Sequence, residues 1–187
     1  MVDLVSDEHS LEHALGQARE GDTEGLVVLW TALQPPLLRY LRVVDPDIAE
    51  DVASDTWAIV VKDLQSFRGS ANSFRSWLFT IATRRGIDAA RTRRRRPVVA
   101  LHEIEVFATS PAADSEAYQA MSLDRALALV QQLPPDQAQV VALRVIAGLD
   151  VAAVAQVLGK QPGNVRVLCH RGLRQLSQTI SPDCLVV

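Results

Sequence analysis

The sequence predicts an all-α protein of two small helical domains joined by a flexible linker. Three observations carry that prediction. Apolar side chains recur every three or four positions through most of the 187 residues, the period of a helix with one buried face. Proline, glycine and capping Asp or Ser residues cut these runs into pieces of helical length. Near residues 98–120 the period lapses, around Thr109-Ser110-Pro111-Ala112-Ala113-Asp114-Ser115, a linker composition. The resulting boundaries are an N-terminal helical domain at 1–97, a linker at 98–120 and a C-terminal helical domain at 121–187.

Taken in order, Asp7 precedes a first segment from Leu11 to Arg19, closed by Gly21. Asp22 opens a second, with Leu26, Val27, Trp30, Leu33, Leu37, Leu38 and Leu41 as its apolar face, which Pro35-Pro36 should kink or break. Asp45-Pro46 starts a third, since proline suits a first helical turn. Its inner side carries Ile48, Val52, Ile59 and Leu64, and the opposite stripe carries Asp47, Glu50, Asp51, Ser54 and Asp55. Phe67 to Asn72 reads as a loop. Ser73 then caps a fourth helix with Phe74, Trp77, Leu78, Ile81 and Ile87, which Pro97 ends. Leu101, Ile104, Val106 and Phe107 in the linker could dock on a neighbour.

In the second domain Leu123, Leu127, Val130 and Leu133 form one amphipathic helix, stopped by Pro134-Pro135. Residues 135–147 form the next, with Gly148 as its left-handed cap. Asp150 caps Val151 to Leu158, Gly159 ends that short helix, and Pro162 begins a last one through about Thr179. Two helices joined by a short glycine-containing turn match a helix-turn-helix. In the second of them Asn164, Arg166, His170, Arg171 and Arg174 face outward, and Val165, Leu168, Leu173 and Leu176 inward.

Composition narrows the function. A hydrophobic fraction of 48% supports a packed core and excludes wholesale disorder. No apolar run approaches the ~20 residues of a membrane span, and the acidic start Met1 to Glu8 is unlike a signal peptide. Cys169 and Cys184 make neither a metal knuckle nor a disulfide framework. A cytoplasmic, reduced protein without membrane insertion is expected. The net charge of −3 conceals a division: residues 1–66 carry four basic against thirteen acidic side chains, whereas Phe67 to Arg96 carries nine arginines against Asp88 alone. Arginine forks suit phosphates and base edges, so one face is expected to meet nucleic acid and the other something else.

Two stretches resemble one family, the group-four (extracytoplasmic-function) sigma factors of bacterial RNA polymerase. Asp45-Pro46-Asp47-Ile48-Ala49-Glu50-Asp51-Val52-Ala53-Ser54-Asp55-Thr56-Trp57 is similar to their polymerase-binding helix. Phe67-Arg68-Gly69, Ser73 to Ala82 and Ile87-Asp88-Ala89-Ala90-Arg91 resemble the loop and helix that engage the downstream promoter element. Leu133-Pro134-Pro135 to Gly159, with Val165-Arg166 and His170-Arg171, resemble the domain that reads the upstream element. The resemblance covers roughly residues 20–96 and 120–178.

It implies polymerase contacts at Asp47, Glu50, Asp51, Ser54, Asp55 and Trp57, with Trp57 supplying apolar area. It implies downstream-element contacts at Arg68, Ser70, Asn72, Arg75, Arg84, Arg85, Asp88 and Arg91. For the upstream element it implies Gly163, Asn164, Arg166, Val167, His170, Arg171 and Arg174. Arg84 stands where the family often has asparagine, and Leu168 replaces an expected arginine, so base preferences do not carry over. The implied partners are core RNA polymerase, promoter DNA and an anti-sigma factor. No fused regulatory module is expected after Ser181.

Two other functions fit parts of the sequence. A helix-turn-helix regulator could bind duplex DNA without polymerase. A metal-dependent nuclease could use the acidic stripe, but that helix has no histidine, and His9, His13, His102 and His170 lie far off in sequence. No phosphate loop, nucleophile–base pair or HExxH pair is present, so no enzyme, catalytic residue, metal or cofactor is expected.

Overall fold

Side-chain caps at Asp22, Ser70 and Asp150 open three of the described helices where the apolar period begins. The computed structural model describes residues 4–95 and 114–179, with side chains placed at 8–93 and 122–179. These residues hold eight α-helices and no strand. Helix α1 (Leu4–Arg19) lays Leu11, Ala14, Leu15 and Ala18 against α2 (Thr23–Val44). The two backbones touch at Gly25, where a Cβ would lie 2.5 Å from the Ala14 carbonyl oxygen. Asp22 caps α2 by accepting from Glu24 N at 2.8 Å.

Helix α2 runs through Pro35 and Pro36 as one helix, so of the expected kink or break the break does not occur. Buried Leu29 and Leu33 before the prolines, and Leu37, Tyr40 and Leu41 after them, hold both halves in the same core. That packing outweighs the lost backbone bonds. Val27 and Trp30 are exposed rather than inward, because Trp30 lies about 100° round the helix from Leu29. Asp45 then caps a 3₁₀ turn, Pro46–Ile48, which leads into α3 (Ala49–Asp63).

The fourth helix, α4 (Ala71–Arg95), begins earlier than expected. Ser70, not Ser73, is its cap: Ser70 Oγ accepts from Ser73 N, and its carbonyl takes Phe74 N at 2.8 Å. Phe74, Leu78, Phe79 and Ala82 are buried, whereas Ile87 is exposed, three positions after Arg84 and four before Arg91. Helix α5 (Asp114–Gln131) starts inside the expected linker, so residues 114–120 are helical. Good helix formers from Glu116 to Met121 extend the amphipathic run backward. The docking expectation for Leu101, Ile104, Val106 and Phe107 lies outside the described residues, as does the helix stop at Pro97.

Helix α6 (Pro135–Val141) passes into a π turn, Ala142–Ile146, and α7 (Val151–Leu158) and α8 (Pro162–Thr179) follow. The expected caps are present: Gly148 and Gly159 are left-handed, and Asp150 Oδ1 accepts from Ala153 N at 2.7 Å. The modules share one continuous buried cluster. Helices α5 and α6 pack on α2, and α7 packs on α4.

Candidate polymerase and promoter surfaces

Helix α3 turns Glu50, Asp51, Ser54 and Asp55 to solvent, and Asp47 is exposed on the preceding turn. The stripe is not electrically uniform. Arg42 Nη2 donates to Glu50 Oε1 at 2.8 Å and holds that carboxyl below its ordinary range. Arg93 of α4 reaches Asp47 at 2.8 Å and Asp45 at 3.4 Å. Ser54 Oγ donates to the Glu50 carbonyl at 2.9 Å. Asp51 and Asp55, one turn apart, are exposed and make no ion pair among the described residues. They are the charges most available to a basic partner.

Trp57 departs from expectation. It is only 7% exposed, and its Nε1 donates to Gln34 Oε1 at 2.7 Å, stapling α3 to α2. Two positions past Asp55 is about 200° round the helix, which turns the indole to the core. Trp57 therefore offers no contact area to a partner. The exposed apolar groups nearby are Trp30 at 49% and Val61 at 53%. Their placement one residue past the buried Leu29 and Val60 was the available signal.

On α4, Arg84, Asp88 and Arg91 form one exposed stripe, and Arg85 is exposed about 100° away. Arg75 is not with them. It is half-buried on the far side, its Nη1 3.6 Å from where a Cβ on Gly148 would stand. Helix α7 lies over the first turns of α4, across a groove lined by Ser73, Ser76, Trp77, Thr80, Asp150 and Gln156.

The loop before α4 is built around Phe67, whose ring stacks on Trp77 (centroids 4.9 Å, interplanar angle 25°) and meets Phe74 edge-on at 5.6 Å. Gly69 has φ +155°, and a Cβ there would stand 2.9 Å from Ser73 Cβ, so glycine is required. Arg68 is exposed and folds onto the carbonyls of Gln65 and Phe67 at 2.6 and 2.9 Å. Ser70 Oγ and Ser73 Oγ share a hydrogen bond of 3.2 Å. Asn72 donates its side-chain amide to Glu8, the Ala71 N–H donates to Glu12 Oε2 at 2.6 Å, and Arg19 donates to the Gly69 carbonyl. The α1 residues in these contacts were invisible in the sequence, being 50 to 64 positions from their partners.

Helix α8 meets α6 through Gly172, where a Cβ would stand 2.7 Å from Val141 Cγ2, and through buried Val165. That packing turns Gly163, Asn164, Arg166, Val167, His170, Arg171 and Arg174 to solvent, all as expected. Leu173, expected inward, is 44% exposed because it lies about 80° round from Val165. The Lys160–Asp136 ion pair, at 3.1 Å, ties the turn to α6.

Two family models match the chain: Sigma-70 region 2 over residues 29–96, and Sigma-70 region 4 over residues 123–176. The ECF RNA polymerase sigma factor ShbA of Streptomyces griseus is 30% identical, the match covering 86% of this chain and 90% of that protein. The chain belongs to the extracytoplasmic-function sigma factors of RNA polymerase. The ECF sigma factor BldN of Streptomyces coelicolor is 27% identical across 95% of this chain and 69% of its own length. Two solved structures share the fold. CnrH, determined with the cytosolic domain of CnrY, is 21% identical with a TM-score of 0.62, covering 93% of this chain and 99% of that one. RpoE of Bartonella quintana, determined with the anti-sigma factor NepR, is 20% identical with a TM-score of 0.60, covering 82% and 95%.

As a sigma factor of this family, the chain directs transcription initiation by RNA polymerase at promoter DNA and is not a catalyst. Among the described residues no helix is long and apolar enough to cross a membrane. No group of three or more His, Cys, Asp or Glu side chains there is placed to hold a metal ion.

Proposed function

We propose a division of labour among three surfaces of this sigma factor. Asp51 and Asp55 on α3 engage a basic element of core polymerase, with Asp47, Glu50 and Ser54 flanking them. The Phe67–Ser70 loop, with Asn72 in the first turn of α4, receives an unstacked base of the downstream element, and the α4 stripe of Arg84, Asp88 and Arg91, with Arg85 beside it, meets the adjoining backbone. Helix α8 reads the upstream element, its first turns at base edges and its later arginines at phosphates.

The observation that carries this reading is the separation of charge on the surface. Asp51 and Asp55 on α3 make no ion pair among the described residues, while α4 presents Arg84, Arg85 and Arg91, and α8 presents Arg166, Arg171 and Arg174, to solvent. A base pulled from the stack costs a few kcal/mol unless it is captured, and a small polar loop backed by arginines answers that cost. The site of action in this reading is the cytoplasm. An anti-sigma partner is part of it, since RpoE was determined with one.

Transcription from a randomised promoter library, with core polymerase and this chain as the added factor, tests the proposal. The expected transcripts come from templates enriched in two separate elements. Enrichment of one element only would remove either the loop or α8 from the scheme.

A further inference from the structure

Helix α1 precedes the stretch matched by the region 2 model, which begins at residue 29, yet its side chains grip the base-receiving loop at three points. Glu12 Oε2 accepts from the Ala71 N–H at 2.6 Å. Ala71 is the first residue of α4, and its N–H has no partner inside the helix. The Ser70 side chain caps further in, at Ser73 N. The carboxylate therefore fills a position the helix leaves open, where its negative charge also opposes the helix dipole favourably.

Arg19 acts on the other half of the loop. Its guanidinium donates to the Gly69 carbonyl and stands 5.4 Å from the Phe67 ring centroid. Phe67 in turn stacks on Trp77, so Arg19, Phe67 and Trp77 form a series running from α1 to the partly buried face of α4. Glu8 completes the clasp at Asn72. Without these contacts Phe67 is still held on Trp77 and Phe74, but between it and α4 the loop keeps only the Ser70 cap, the Ser70–Ser73 bond and the folding of Arg68 onto its own neighbours. A loop that must catch a transiently unstacked base gains from being ordered beforehand, because ordering it during capture subtracts from the binding energy.

We propose that Arg19 and Glu12 are positioning residues for strand opening: they hold the Phe67–Ser70 loop and the first turn of α4 in their base-receiving shape without touching DNA. The inference rests on the reading of that loop as the base-capturing element. Neither residue lies on the α3 face, so polymerase docking does not depend on them.

The test compares Arg19→Ala, Arg19→Lys and Glu12→Ala in the full chain with core polymerase. The template is a promoter selected from a random library, used as intact duplex and as the same promoter pre-melted over the downstream element. A loop variant, Ser70→Ala with Asn72→Ala, is run in parallel. The expected result for Arg19→Ala and Glu12→Ala is unchanged capture of core enzyme and about a tenfold loss of transcription on the duplex. The loss should shrink to within about twofold on the pre-melted template. Arg19→Lys, which keeps a cationic donor for Gly69 but loses the guanidinium over the Phe67 ring, should fall between.

Equal losses on both templates, or lost core capture, would mean a general folding role and overturn the proposal. Full activity of both alanine variants on the duplex would overturn it too. If the loop variant alone is defective, the inference about α1 fails and the loop reading stands. If the loop variant is also fully active, both fall.

Discussion

Tyr40 shows how one buried polar group constrains the fold. It is almost completely buried, its ring meets Phe79 edge-on at 5.5 Å, and its hydroxyl bonds Thr83 Oγ1 at 2.8 Å. Burial pushes the phenol up from 10.0 to about 12, against a small opposing effect of the Thr83 bond. The unfolded chain therefore releases this proton near its ordinary value, whereas the folded chain keeps it. Stability should be undiminished below about pH 10. It should then decline by up to ~1.4 kcal/mol per pH unit until about pH 12. Denaturant melts of wild type and Tyr40→Phe across pH 8–11 check this. The variant should lose about 1 kcal/mol at pH 8, because Thr83 keeps its bond to the Phe79 carbonyl at 2.7 Å, and its curve should lack the alkaline decline attributable to the phenol. At the same scale, Trp57 and Trp30 exchange their expected roles, since one residue of helical phase decides which indole packs and which faces solvent.

At the scale of elements, α8 has a fixed phase, because Gly172 admits no side chain against Val141 and Val165 is fully buried. Its outward arc therefore presents Asn164 and Arg166 in the first turns and Arg171 and Arg174 further along. Residues at the start of a recognition helix reach base edges, and later ones reach the backbone. Arg166→Ala and Asn164→Ala should change which upstream sequences are used, by ~1–3 kcal/mol for a good base contact. Arg171→Ala and Arg174→Ala should weaken all promoters alike. A panel of promoters differing only in the upstream element separates the two patterns, and equal losses for all four variants would shift the register proposed for this helix.

For the whole molecule, the helical class and the helix-turn-helix were legible because local signals made them. Asp22, Gly148, Asp150, Gly159 and Pro162 each act within a few residues of their own position. Tertiary packing overrode a local rule at the prolines of α2, and helix propensity did so in the linker. Helix α2 continues through two prolines because one core grips both of its halves, and the downstream boundary of the linker gave way to a helix that starts at Asp114. The acidic stripe could be read from spacing. Its internal division could not, because Arg93 lies 46 residues from Asp47 and Arg42 reaches over from a different helix. The clasp of α1 on the loop, and the placement of Arg75 beside Gly148, are likewise products of the assembled chain.

In the proposed scheme the folded sigma factor docks on polymerase through Asp51 and Asp55 of α3. Asp51→Lys combined with Asp55→Lys reverses those charges at exposed positions, where each change should alter stability by no more than about 0.5 kcal/mol. Against a basic partner the same reversal costs several kcal/mol. The decisive measurement is capture of core RNA polymerase by the double variant, with the melting temperature taken on the same preparation. Normal melting with capture reduced at least a hundredfold is the predicted result. Undiminished capture by a normally melting variant would contradict the account.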